Sequence, residues 1–275
     1  MAEHRASRRS TRSRRTVVQV LVALVALTIG LGALVSSADA NHRPTSKQIP
    51  NLGVVKNQIK AYYGDYVDAS GAHQATSTSD YAKEVKGVEA KAIVDIAKRS
   101  KHLSGKPAVV FDVDDTTLLT YNYEAANDFG YNPAINAQYV LGEKFPAVFG
   151  MTTLVNGFKS HGVAVFFITG RPNAQHAATL GNLSAQGYPA PTVNADGDGL
   201  YTKPDSGQPF ASYVDCNLDG IPDVCSTTDY KASTRKHIES LGYDIVGNFG
   251  DQFSDLNGGY ANVSVKMPNP MYYLP

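Results

Sequence analysis

The sequence predicts an α/β fold: a parallel β-sheet with helices on both faces, preceded by an N-terminal helical segment. Three observations carry this reading. Short apolar, β-rich runs recur far apart in the chain, as Ala108-Val109-Val110-Phe111, as Val163-Ala164-Val165-Phe166-Phe167-Ile168, and as Ile245-Val246 before Gly247. Unbroken apolar runs of that length suit strands buried on both faces. Segments of helical period lie between and after them, over residues 147–160, 173–186 and 229–241, and strands alternating with helices imply a parallel sheet. Each run also stops at a polar cluster, and in an open parallel sheet ligands bind beyond the carboxyl ends of the strands.

The elements can be justified in order. Of 25 basic and 25 acidic residues, six arginines (Arg5, Arg8, Arg9, Arg12, Arg14, Arg15) and two acids (Glu3, Asp39) fall in the first forty positions. The remaining body is therefore acidic by four charges, which gives no electrostatic footprint for nucleic acid. The arginines lead into an apolar run from Val17 to Val35 and then to Ala38-Asp39-Ala40. Basic, apolar, then Ala-x-Ala is the order of a cleavable secretory signal, so residues 1–40 are expected to be removed on export to the cell envelope or medium. Ser13-Arg14-Arg15-Thr16-Val17-Val18 loosely resembles a twin-arginine export motif. Left uncleaved, a run of roughly 19 residues would anchor the chain in a membrane.

Residues 41–78 read as a polar linker followed by a helix over 52–66. A second amphipathic helix follows, with Tyr81, Val85, Val88, Ala92, Ile93 and Ile96 on one face and Ser79 or Asp80 as its cap. The two helices suit a lid or brace. Two turn-rich, oxygen-rich inserts are expected as surface loops, near 194–205 and 215–225. The second holds the chain's two cysteines, Cys216 and Cys225, and in an exported protein the simplest reading is a local disulfide. Asp215, Asn217, Asp219 and Asp223 alternate around Gly220 as in calcium loops, but Ser226 stands where the closing glutamate would be. Asn194, Asp196 and Asp198 make a weaker copy. A calcium loop, similar to a thrombospondin type 3 repeat, and a metal-free disulfide loop both stay open.

The strand ends carry the chemistry. The first run ends in Asp112-Val113-Asp114-Asp115-Thr116, the second in Thr169-Gly170-Arg171, and the third leads to Gly250-Asp251 and Asp255. A carboxylate closing an apolar strand is costly unless something pairs with it. Several together repel, and a divalent cation relieves the repulsion. Oxygen-only ligands favour Mg²⁺ over Zn²⁺, with a substrate phosphate completing the shell. Thr169, the Gly170 amide and Arg171 offer donors for phosphate oxygens, and Lys231 adds a point charge.

These residues resemble the haloacid dehalogenase (HAD) superfamily. Asp112-x-Asp114-x-Thr116, Thr169, Lys231 and Gly250-Asp251-x-x-x-Asp255 look like its four motifs, in order. The finer resemblance is to its acid phosphatase branch, which takes in class B enzymes, plant acid phosphatases, vegetative storage proteins and bacterial outer-membrane acid phosphatases. It rests on Phe111 to Leu118, Ile168-Thr169-Gly170-Arg171, Tyr230-Lys231 with Arg235, and Gly250 to Leu256. The chain departs from the branch at Asp115, usually Glu, and at Thr120, often Asn. The resemblance implies a Rossmann-like HAD fold over 79–275 and an acid phosphatase acting on small phosphomonoesters. It further implies Asp112 as nucleophile, Asp114 as acid and base, and Thr169, Gly170, Arg171 and Lys231 on the phosphate. Mg²⁺ would be held by Asp112, Asp251 and the Asp114 carbonyl, with Asp255 supporting the shell. A nucleotidase or phosphotransferase on the same site, and a non-catalytic storage or calcium-binding protein on the same fold, are the alternatives. Nothing in the pattern sets an oligomeric state.

Overall fold

The computed structural model describes residues 46–274 except 101, 102, 219 and 222–224. The expected export signal lies outside the described residues, as do Asp219 and Asp223 of the second insert. The chain divides into two compact units, residues 1–51 and Leu52–Pro275, and every element below belongs to the second.

Helix α1 (Leu52–Tyr63) ends three residues before the expected position because Gly64 turns left-handed, at φ +63°. A two-stranded antiparallel hairpin follows, β1 (Tyr66–Val67) with β2 (His73–Gln74). Helix α2 (Asp80–Arg99) is capped by Ser79, whose side chain accepts from the Ala82 amide. It buries Tyr81, Val85, Ala92 and Ile96 on one face, as the period predicts. Tyr63 of α1 stacks between Tyr81 and Tyr121, with ring centroids 4.3 and 4.5 Å away, so the N-terminal helix is packed into the core.

Five parallel strands form the main sheet. They are β3 (Lys106–Phe111), β4 (Ala164–Pro172), β5 (Leu200–Lys203), β6 (Tyr243–Gly250) and β7 (Ser264–Lys266), ordered β5-β4-β3-β6-β7. Central β3 pairs Phe111 with Phe167 on one side and with Phe249 on the other. Val109 and Phe111 belong to a core packed with α2, α5 (Met151–Ser160) and Leu183 of α6 (His176–Ala185). Ala108 and Val110 belong to a second core with Tyr230 and Ile238 of α7 (Thr227–Ser240). Both faces are therefore covered, which is why these strands read as continuous apolar runs.

Three sequence expectations change. The helix expected from residue 147 begins at Met151, because Val148 donates to the Thr117 carbonyl and Ala147 bridges Leu118, tying this stretch to the loop after β3. The insert near 194–205 is a loop only to Gly199; Leu200 to Lys203 form edge strand β5, with Leu200 and Tyr201 buried. The weaker calcium copy is spent on other partners: Asp196 meets His237 and Tyr201, and Asp198 meets His176. Two short helices after β3, Tyr121–Ala126 and Pro133–Leu141, and strand β7 were not legible as elements. A disulfide joins Cys216 to Cys225.

Candidate active site

The chain adds strands to one side of β3 and then crosses to the other, so the sheet's switch point lies at the carboxyl end of β3, between β4 and β6. Asp112 stands at this point. Its amide donates to the Phe249 carbonyl at 2.9 Å, continuing the β3–β6 ladder into the site. Thr169 and Asp251, from β4 and the end of β6, flank it and are as deeply buried.

Lys231, on the first turns of α7, reaches across from the opposite core. Its ammonium is bonded to Asp112 Oδ1 and, at 2.5 Å, to Asp255 Oδ1. Burial alone would lower the Lys231 pKa; attraction to the two carboxylates outweighs it and raises it. Removing this ammonium would leave two buried carboxylates uncompensated, an effect on the order of 3–5 kcal/mol. Lys236, one turn beyond, is exposed over the Tyr260 ring and has no part in the site. Arg235, one turn further along α7, donates to the carbonyls of Asp255, Asn257 and Gly259 and so holds the loop that presents Asp255. Asp255 also caps its own short helix α8 (Phe253–Leu256), accepting from the Gln252 amide at 2.8 Å. Gly250 is required here: a Cβ on it would fall 2.3 Å from that of Asp255.

Asp114 lies on the open side, with 29% of its side chain exposed. Arg171 grips it with both arms of its fork, at 3.0 and 2.7 Å, and donates its third nitrogen to Thr179 at 3.0 Å. The Phe145 ring lies 5.5 Å from the guanidinium. Arg171 thus holds Asp114 in place, and Thr169 and the Gly170 amide stand at the same strand end. Gly170 is exposed, and a Cβ there would meet nothing within 4 Å, so the site opens to solvent beside it.

Asp112, Asp251 and Asp255 each bring a carboxylate oxygen within 4.8 Å of the others, and all three are buried. Burial, opposed by Lys231 but helped by the neighbouring acids, holds Asp112 well above the usual carboxylate range. Burial and the Asp255 charge push Asp251 up to about 7. The three acids outnumber the one lysine bonded among them, and an all-oxygen donor set suits a hard divalent cation. The Asp114 carboxylate is not in this group; it faces Arg171.

The geometry agrees with what comparison finds. Residues 27–275 match the family model of the HAD superfamily, subfamily IIIB (acid phosphatase). The chain belongs to subfamily IIIB. Among curated relatives, this HAD chain is 28% identical over 181 residues to the stem 28 kDa glycoprotein of Glycine max, covering 64% of the chain and 63% of that protein. It is 30% identical over 175 residues to acid phosphatase 1 of Solanum lycopersicum, covering 62% and 60%. It is 26% identical over 234 residues to vegetative storage protein 1 of Arabidopsis thaliana, covering 84% and 76%. The chain thus spans about three fifths of the first two relatives. Among solved structures, the class C acid phosphatase from Bacillus anthracis shares the fold at TM-score 0.53 and 20% identity, over 80% of this chain and 86% of that one.

Several contacts around the subfamily IIIB site escaped sequence reasoning. Asp115, buried and left-handed at φ +53°, accepts from the Thr120 amide at 3.0 Å, the Thr120 hydroxyl at 2.6 Å and the Tyr272 hydroxyl at 2.7 Å. Asp251 Oδ2 accepts from Gln252 at 2.6 Å and Asn269 at 2.7 Å. The Thr116 hydroxyl donates to Asp251 Oδ1 at 3.4 Å. Thr116 belongs to the first motif and Gln252 adjoins the fourth, so both could have been found by position. Asn269 and Tyr272 carry no local signal beyond the turn residues Pro268 and Pro270.

Proposed function

We propose that this protein is an exported, magnesium-dependent acid phosphatase that hydrolyses small phosphomonoesters through a phosphoaspartate at Asp112. One observation carries the reading. Asp112 ends the central strand with Lys231 on its Oδ1, while among the described residues no hydrogen bond reaches its Oδ2. An oriented carboxylate with one unengaged oxygen is what a nucleophile needs.

In this reading Asp112 Oδ2 attacks phosphorus, and the bond to the leaving oxygen breaks as Asp114 hands that oxygen a proton. Asp114 then takes a proton from a water that attacks the phosphoaspartate, releasing phosphate and restoring Asp112. Arg171 keeps Asp114 aimed through both steps, and Lys231 offsets charge on the nucleophile. Asp112, Asp251 and the Asp114 carbonyl would hold Mg²⁺, which neutralises charge as phosphate approaches the acids. The open rim at Gly170 supports a small and varied leaving group. The Cys216–Cys225 disulfide and the N-terminal sequence pattern support export.

The relatives called vegetative storage proteins favour a second reading, a protein that keeps the fold for storage. Phosphate release by the mature chain separates the two. Wild type should be active and lose activity on chelation, regaining it with Mg²⁺. Asp112→Asn, with a wild-type melting curve, should fall by at least about a thousandfold. A folded Asp112→Asn that keeps near wild-type rates removes Asp112 from the nucleophile role; activity that survives exhaustive chelation removes the metal. Rates across nucleotides, sugar phosphates and an aryl phosphate distinguish a broad phosphatase from a nucleotidase.

A further inference from the structure

Strand β7 runs parallel to β6 at the sheet edge, so the chain leaving it emerges at the carboxyl rim, where the active site lies. The Met267 amide donates to the Gly250 carbonyl at 2.8 Å, and Met267 and Met271 bury their side chains in the core. Between and after these anchors, polar groups of the tail turn onto active-site acids. Asn269 Nδ2 donates to Asp251 Oδ2 at 2.7 Å, and its Oδ1 accepts from the Met271 amide at 2.9 Å, which fixes which end of the amide faces Asp251. The Leu274 amide donates to Gln252 Oε1 at 3.0 Å, turning the Gln252 amide so that its nitrogen reaches the same Asp251 oxygen. With Oδ2 taken twice, the long Thr116 contact is the only hydrogen bond to Oδ1 among the described residues, which makes Oδ1 the freer oxygen for a cation shared with Asp112 and Asp255. Tyr272, partly buried, donates to Asp115. Asp115 sits between Asp114 and Thr116 in a left-handed conformation that a non-glycine residue adopts at a cost and keeps only when its surroundings hold it there.

We propose that the C-terminal segment from Asn269 to Leu274 is a positioning element of the active site. Asn269 selects the Asp251 oxygen presented to the cation, and Tyr272 locks the Asp115 turn that aims Asp114. This assignment rests on the phosphatase reading above. Neither residue touches substrate; each acts through an acid that is already in the site. Hydrogen bonds of this kind, one step removed from a metal, are worth roughly 10–100-fold in affinity or activity.

The test uses the full mature chain, with Mg²⁺ binding by calorimetry and phosphate release measured side by side. Tyr272→Phe removes one hydroxyl and keeps the ring. Asn269→Leu keeps the volume and removes the donor, and Asn269→Ala removes it without filling the space. Both Asn269 variants should bind Mg²⁺ at least about tenfold more weakly than wild type. Tyr272→Phe should keep Mg²⁺ affinity within about threefold and KM within about twofold, while kcat falls about tenfold. Active wild type alongside folded variants with unchanged Mg²⁺ affinity and kcat overturns the assignment and leaves the phosphatase reading standing. Equal Mg²⁺ binding by Asn269→Ala and wild type overturns the Asn269 part by itself. A wild type that neither binds Mg²⁺ nor releases phosphate overturns both readings.

Discussion

Glu89 and Glu124 show how much a single buried acid can reveal. Glu89 lines a largely apolar cavity of about 770 Å³ with Ile93, Ile96, Phe149, Leu154 and Phe158, and its Oε1 has no hydrogen-bond partner among the described residues. Burial pushes its pKa up to about 7. Glu124, buried beside the site, is pushed up to about 7 by burial and then by the Asp114 charge. Between about pH 4.5 and 7 the folded chain holds protons at these positions that the unfolded chain has released. Their contribution to stability is therefore present at low pH and is lost as pH rises through the folded values. Melting curves of the metal-free protein should show a higher midpoint at pH 5 than at pH 7.5, and Glu89→Gln should flatten that difference. A Glu89→Gln profile parallel to wild type would mean that Glu89 ionises normally. At this scale the site was partly legible. Asp112 and Asp251 meet where the strand ends placed them and Lys231 joins Asp112 from α7, whereas the grip of Arg171 on Asp114 was not readable, because a guanidinium suits a carboxylate as well as a phosphate.

Helix α7 shows how an element delivers a residue. Ser226 and Asp229 form a reciprocal capping box: the Ser226 hydroxyl accepts from the Asp229 amide and the Ser226 amide donates to the Asp229 carboxylate, each at 3.0 Å. The disulfide closes at Cys225, one residue before this cap, and Lys231 follows within two turns. Ser226 stands at the twelfth position of the calcium-loop pattern, and among the described residues its groups serve the helix. Ser226→Ala should cost about 1 kcal/mol in denaturant melts and leave kcat and KM within about twofold below the transition. No stability change would mean that the disulfide alone holds the start of α7. The helix was visible from its apolar period, but β5 was not. Leu200 to Lys203 follow a turn-rich segment and offer only two apolar residues in four, so they became a strand because β4 presented an edge to pair with.

On the scale of the whole molecule, the arginine-rich start, apolar run and Ala38-Asp39-Ala40 still predict a mature chain beginning near Asn41. Intact-mass measurement on secreted material should give that N-terminus and a mass two hydrogens short of the dithiol form. A retained N-terminus would make the protein membrane-anchored, and two alkylatable thiols would exclude the Cys216–Cys225 bridge. The same scale explains the placement of the site. Strands on both sides of β3 bring residues 112, 169 and 251 to one rim although up to 139 residues separate them, a span set by topology. Helix α1, read as a lid or brace, contributes Tyr63 to the core against Tyr81 and Tyr121.

The sequence by itself determined the fold class, the central strand, and which acids meet at its end, while the choice of lysine followed from the family resemblance. Those features depend on local period and on residue chemistry at strand termini, both of which are written consecutively in the chain. Only the tertiary structure decided which donor meets which carboxylate oxygen: Arg171 on Asp114, Lys231 shared between Asp112 and Asp255, and Asn269 and Tyr272 returning from the C-terminus to Asp251 and Asp115. A carboxylate accepts any donor that arrives within about 3 Å at a workable angle, and arrival depends on how distant segments pack.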